Sequence, residues 1–394
     1  MNCNQKHRKI CEKKAILVLY LCLLAVILAV GFNNEKAKTN SSFLITNEPI
    51  QSYSVTRAIF SNELIPQPAF LLSAHSATLT TLTNGDILAM WFAGSHEGNP
   101  DVKIWQSIYS HGKWQMAHAA ISPDSLRESL SIYVRKIGNP VVYRALDGKL
   151  HLFVVSVAIG GWSGSRLNHF ISTDKGRTWH LLGRLVLSPF FNLSTLVRTN
   201  PITLADGGFY LPVYHEFIKT YPELLQFDKN GKFIRQIRLS DNGFLLQPSV
   251  VPVSAQHAMV FLRNKALTND ILYKQDTYDG GTTWTSPAAT NLINHDSSIA
   301  VTRVNNKLFL MVHNIYSKDN SSSYMNDRGL LMLAISSNGR SWRDIYALEH
   351  DYKYEFSYPA IMINNNIIDI LYTWRRKQIK HVRFNLAWLM EHTS

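Results

Sequence analysis

Cysteine is nearly missing from this chain: Cys3, Cys11 and Cys22 are the only ones in 394 residues. Everything after residue 22 therefore holds no disulfide, no cysteine zinc site and no thiol nucleophile. Acidic residues are also few, 28 Asp and Glu against 40 Lys and Arg, for a net charge of +12. Missing too are a phosphate-binding glycine loop, a Gly-x-Gly-x-x-Gly turn, a Gly-x-Ser-x-Gly elbow and a His-Glu-x-x-His pair. Their absence removes nucleotide-dependent, serine-hydrolase and zinc-peptidase readings. No stretch beyond residue 50 keeps a period of 3.6, so a helical bundle is excluded as well. What is present is 46% hydrophobic and only 17% charged, enough to bury a large core.

The charge divides unevenly. Residues 1–14 carry Lys6, Arg8, Lys9, Lys13 and Lys14 against Glu12, and the remainder keeps about +8. That surplus draws anionic ligands, acidic sugars among them. No basic run with interleaved aromatics follows, so nucleic acid is not an expected partner. Directly after the basic tail, residues 15–32 (AILVLYLCLLAVILAVGF) run 18 positions without a charge. That length suits a membrane anchor with the basic flank kept in the cytoplasm and the large domain outside. A signal peptide cleaved near Ala29-Val30-Gly31, giving a secreted protein, is the alternative. Residues 33–50 are polar and read as a linker, leaving residues 51–394 as the folded domain.

That domain is written in short apolar or alternating runs, among them Ile87–Trp91, Leu150–Val157, Ala258–Leu262, Lys307–Val312 and Ile367–Tyr372. Turn signals such as Asn84-Gly85-Asp86, Asp147-Gly148 and Asn230-Gly231 separate them, which is the pattern of antiparallel hairpins. A repeat overlies the pattern. Ser172-Thr-Asp174-Lys-Gly176-Arg-Thr178-Trp179 recurs as Thr277-Tyr-Asp279-Gly-Gly281-Thr-Thr283-Trp284. A weaker copy, Ser337-Asn338-Gly339-Arg340-Ser341-Trp342, puts serine at the aspartate position, and eroded copies end at Trp114 and Phe233. Asp and Gly build a tight turn there, and the closing aromatic packs between neighbouring sheets. The aromatics recur about every 57 residues, so residues 51–394 hold about six units. Six four-stranded blades closed by pairing the chain ends make an all-β, six-bladed β-propeller.

These repeats resemble the Asp-boxes of the sialidase (neuraminidase) superfamily, and Arg383–Leu389 resembles the closing strand of bacterial sialidases. Further motifs resemble a sialidase-like branch: His75-Ser-Ala-Thr-Leu, Trp91-Phe-Ala-Gly-Ser-His-Glu97-Gly-Asn-Pro-Asp101, Arg198-Thr-Asn-Pro201, Leu211-Pro-Val-Tyr214-His-Glu216, Gln247-Pro248, Arg263-Asn264, Glu355-Phe-Ser-Tyr358-Pro359 and Tyr372-Thr-Trp-Arg375-Arg376. The resemblance implies an exo-glycoside hydrolase acting on terminal acidic sugars of a glycan or glycoconjugate, with no cofactor and no metal. It implies Arg263 and Arg328 as the carboxylate clamp, Asp101 as acid and Tyr358 as nucleophile, with Glu97 and Glu355 as alternative carboxylates.

Two positions depart from the family pattern. His75 stands where the first clamp arginine belongs, leaving Arg198 or Arg375 to compensate from another blade. Gln247 stands where a glutamate takes the tyrosine proton, and glutamine is no base; Glu216 or Glu355 is then recruited. Asp296 reads as a turn residue. Two other readings stay open: a non-catalytic propeller that binds glycans or proteins, and a glycosidase using a carboxylate pair among Glu97, Asp101, Glu216 and Glu355.

Overall fold

The computed structural model describes residues 13–24, 26–27, 41–45, 57–188, 192–266, 270–316 and 328–393. They fall into two units, residues 1–40 and 41–394. In the first, residues 13–24 and 26–27 are helical. Among the described residues no helix is long and apolar enough to cross a membrane. Most of the basic tail, and residues 25 and 28–32 of the apolar run, lie outside the described residues.

The second unit is six antiparallel sheets arranged in chain order. Blade one begins with Ser73–Thr81, blade two with Lys136–Arg144, blade four with Leu245–Pro252, blade five with Ala300–Asn305 and blade six with Phe356–Asn364. Blade three opens with two short strands, Leu196–Val197 and Ile202–Thr203, that pair with Phe209–His215. Consecutive first strands contact one another and surround the axis. Second strands such as Ile87–Gly94 and Leu150–Val157 are buried along their whole length, sandwiched between two neighbouring sheets. They read as unbroken apolar runs for that reason. The ring closes where Phe60–Leu64 pairs with Gln378–Asn385, Phe60 opposite Phe384, as the sequence implies. The closing strand stops earlier than the resemblance suggests. Asn385 caps a short helix, Leu386–Glu391, whose Trp388 and Leu389 bury into blade six.

The repeats staple turns. Both oxygens of Asp174 are engaged, accepting from Thr178 N, Thr178 Oγ1 and Ser172 Oγ. Trp179 reaches the neighbouring blade, donating Nε1 to Gln106. In the copy ending at Trp342 the aspartate's role passes to Asn338 and not to Ser337: Asn338 Oδ1 accepts from the amides of Arg340 and Ser341. That turn is one residue shorter between its first serine, Ser336, and Trp342.

Residues 41–45, expected to be linker, are part of the domain. Phe43 is 1% exposed, bridges Leu204 and donates to Ala255 O. The strap runs against blades three and four at the end of the ring opposite Tyr358. A side chain at Gly280 would meet Ser41 O at 1.7 Å, so glycine is required there.

Candidate functional site

The first strands share a device at one end of the ring. Four of them shift register within their opening residues, between His75 and Thr78, Gly138 and Pro140, Leu246 and Ser249, and Ser357 and Ala360. At each bulge a non-glycine residue takes positive φ: Ser76 57°, Asn139 38°, Gln247 47° and Tyr358 53°. Three of those residues precede proline. Such conformations cost on the order of 1 kcal/mol each and persist where surrounding contacts fix them. A bulge also re-aims side chains. Loops joining second to third strands lie at this same end, because neighbouring strands run antiparallel; they carry Glu97, Glu216 and Arg376.

Tyr358 stands among arginines. Arg263 Nη1 donates to its hydroxyl at 3.3 Å. The guanidinium carbons of Arg198, Arg328 and Arg263 lie 5.2, 5.7 and 5.9 Å from its ring. The Arg263 and Arg328 side chains are braced by one residue: Asp296 Oδ1 accepts from Arg263 Nε at 2.8 Å, and Asp296 O accepts from Arg328 Nη2 at 3.0 Å. Arg198 lies 2% exposed in the channel, its Nη atoms on the carbonyls of Ala77 and Pro359 in two other blades. Burial lowers it to about 10, still cationic at neutral pH. The channel cavity it lines is about 40 Å³, too small for a sugar.

His75 packs its ring 4.2 Å from that of Tyr358 and shares a hydrogen bond with Thr373. Burial drops it to about 3, so it is neutral and gives no substitute for an arginine charge. Arg376 brings the charge instead. Its Nε donates to Glu355 Oε2 and its Nη1 to Glu97 Oε2. Glu355 is 2% exposed and also accepts from Arg328 and Ser357. Burial alone would raise Glu355, but Arg328 and Arg376, with His75 once it is protonated, hold it at about 2. Burial would likewise raise Glu97, but His75, once it is protonated, and Arg376 bring it below its ordinary value. Arg375 and Arg376 both have φ 55°, and Lys377 N closes a turn onto Trp374 O. Both centres of such a turn favour Asn and Gly; two arginines there are costly and specific.

A second group flanks the first. Tyr214 is 3% exposed, and its hydroxyl accepts from Gln247 Nε2 at 3.2 Å and Asn139 Nδ2 at 3.5 Å. Gln247 Oε1 is buried without a hydrogen-bond partner among the described residues. Two residues beyond Tyr214, Glu216 is half-buried, and burial raises its carboxyl against the opposing pull of Arg263 and Lys265.

The site residues read from sequence thus divide. Tyr358, Arg263, Arg328, Glu355, His75, Arg198 and Glu97 form one connected cluster, with Glu216 and Gln247 beside it. Asp101 stands apart: exposed, it accepts from Ser95 N at 2.7 Å and Ser95 Oγ at 2.8 Å, a turn cap in its own loop. Arg375 does not supply the missing cation, because its guanidinium stacks on Tyr354 and Trp374. Arg198 braces the channel with both Nη atoms on backbone. Arg376, Asp296 and Tyr214 were not singled out from sequence as site residues. Arg376 and Tyr214 sit inside motifs that were, and only the hairpin geometry separates Arg376 from its neighbour.

The profile of the BNR repeat-like domain matches residues 85–370. No curated protein matches the chain. Solved structures do. A protein of unknown function from Dyadobacter fermentans superposes with a TM-score of 0.64 at 15% identity, over 84% of this chain and 98% of that one. A Hadza microbial sialidase gives 0.65 at 18%, over 80% and 66%. Trypanosoma rangeli sialidase gives 0.63 at 14%, over 85% and 61%. At these identities the likeness is one of fold.

Proposed function

The chain belongs to the BNR repeat-like domain family, and from that premise we propose that it is a sialidase-like exo-glycoside hydrolase removing terminal acidic sugars from glycans. One observation carries the reading: Arg263 donates to the Tyr358 hydroxyl while three guanidiniums lie within 6 Å of its ring. A carboxylate-bearing sugar supplies the anion such a cluster attracts, and guanidinium pairs bind carboxylate in two-point fashion. Arg263 and Arg328 hold the carboxylate, with Arg376 in place of the arginine missing at position 75. Tyr358 attacks the anomeric carbon, since a phenol approaches an anionic sugar with less repulsion than a carboxylate does. Residues 15–32 anchor the chain, or direct its secretion, so that the propeller works outside the cytoplasm.

Gln247 in the place of a base, and Asp101 occupied by Ser95, favour a second reading, a propeller that binds acidic glycans without cleaving them. The two separate in one experiment. Full-length protein in detergent is given a fluorogenic sialoside and a panel of neutral glycosides. Hydrolysis of the sialoside lost in Tyr358→Phe and in Arg263→Ala supports the enzyme. Binding of the free acidic sugar without turnover, lost in Arg263→Ala alone, supports the binding module.

A further inference from the structure

The carboxyl groups at the site end are not equivalent. Glu355 and Glu97 are ion-paired to Arg376, and Glu355 to Arg328 as well. Asp296 is paired to Arg263. Asp101 has both oxygens on Ser95. Each of these carboxyl groups accepts hydrogen bonds from the partners just named. Glu216 differs. No hydrogen bond among the described residues ties its carboxyl, while its backbone is fixed by a 2.7 Å bond from its N–H to the buried Ser194 Oγ. It lies two positions beyond Tyr214, just past the end of the strand Phe209–His215, in the loop at the Tyr358 end of the ring. Tyr214 is the residue whose hydroxyl meets Gln247 and Asn139, next to the Tyr358 cluster.

We propose that Glu216, and not Asp101, is the proton donor to the departing glycosidic oxygen. This rests on the hydrolase reading above. In the first step the bond between the anomeric carbon and the glycosidic oxygen breaks, its electron pair staying on oxygen, which takes the Glu216 proton. Tyr358 oxygen bonds to the anomeric carbon, and its phenolic proton passes to solvent. In the second step water attacks that carbon and gives one proton to the Glu216 carboxylate; the Tyr358 oxygen leaves and recovers a proton from solvent. Burial favours the protonated form that this role needs, and the groups facing Glu216 oppose one another: Arg263 and Lys265 lower it, Asp296 raises it.

The test compares leaving groups. Full-length protein and its Glu216→Gln and Asp101→Asn variants hydrolyse two glycosides of one acidic sugar. One releases a nitrophenol that needs no protonation, the other a sugar alcohol that does. Glu216→Gln is expected to slow the first-turnover release of the alcohol by about 10²- to 10⁴-fold while keeping the first-turnover burst of nitrophenol within a few-fold, and to remove the alkaline limb of the pH–rate profile for the alcohol. Circular dichroism and melting confirm that the variant is folded. Equal loss on both substrates, or no loss on either, overturns the assignment; so does the same split in Asp101→Asn. If the unsubstituted protein cleaves neither glycoside yet binds the acidic sugar, the hydrolase reading itself fails and the donor role with it.

Discussion

At residue scale the cluster is held by Glu355, which is 2% exposed and bonded to Arg328, Arg376 and Ser357. Removing one partner of a buried ion pair leaves the others desolvated without compensation, which costs about 3–5 kcal/mol. Glu355→Gln keeps the shape and removes the charge. It is expected to lower stability by roughly 3 kcal/mol in urea titrations and to abolish acidic-sugar binding; a midpoint within error of the parent would contradict the role assigned. The same residue shows what a sequence can and cannot disclose. Glu355, Arg263 and Tyr358 were legible because each sits in a motif whose chemistry is particular. Arg376 was not, because Arg375 and Arg376 are chemically alike and only the twist of their turn decides which one faces Glu97. Asp101 was read as an acid from the family resemblance, and a resemblance does not show that its oxygens are already taken.

Elements were read more fully than residues, since the repeats are local devices: an Asp or Asn accepting amides, a glycine at positive φ, an aromatic on the next blade. Those contacts lie within a few positions, so composition and order reveal them. The strap at residues 41–45 depends on contacts with Thr203, Ala205, Ala255 and Gly280. Nothing in its polar neighbourhood announces that, and it was read as linker. Its importance is testable. Phe43→Ala removes a ring that is 1% exposed and lies edge-on to Tyr210; the expected cost is about 3–5 kcal/mol. Gly280→Ala, blocked by Ser41 O, is expected to destabilise in the same direction. If melting shows neither loss, the strap does not contribute to blade packing.

At the scale of the molecule, alternation and the repeat spacing made six blades and their closure legible, while the behaviour of the buried histidines emerges only from packing. His151 and His169 lie between blades two and three, Nδ1 to Nε2 at 2.9 Å, among Phe153, Phe209 and Phe227. Burial lowers them to about 4 and about 3, and His75 to about 3. The unfolded chain, titrating near 6.5, therefore binds more protons than the native one between pH 6.5 and about 3. Stability is full above 6.5 and falls as pH drops, by roughly 2 kcal/mol per histidine between pH 7.5 and 5. Glu355, depressed to about 2, adds to the loss below about pH 4.5; Glu216 and Glu223, raised by burial, oppose it. Melting scans should show a lower midpoint at pH 5 than at pH 7.5. The double variant His151→Phe, His169→Phe keeps the aromatic packing, removes two of the three protonation sites and should flatten the dependence. A variant as acid-sensitive as the parent would place the titrating groups elsewhere, and the interface between blades two and three would then be a structural joint with no part in the acid response.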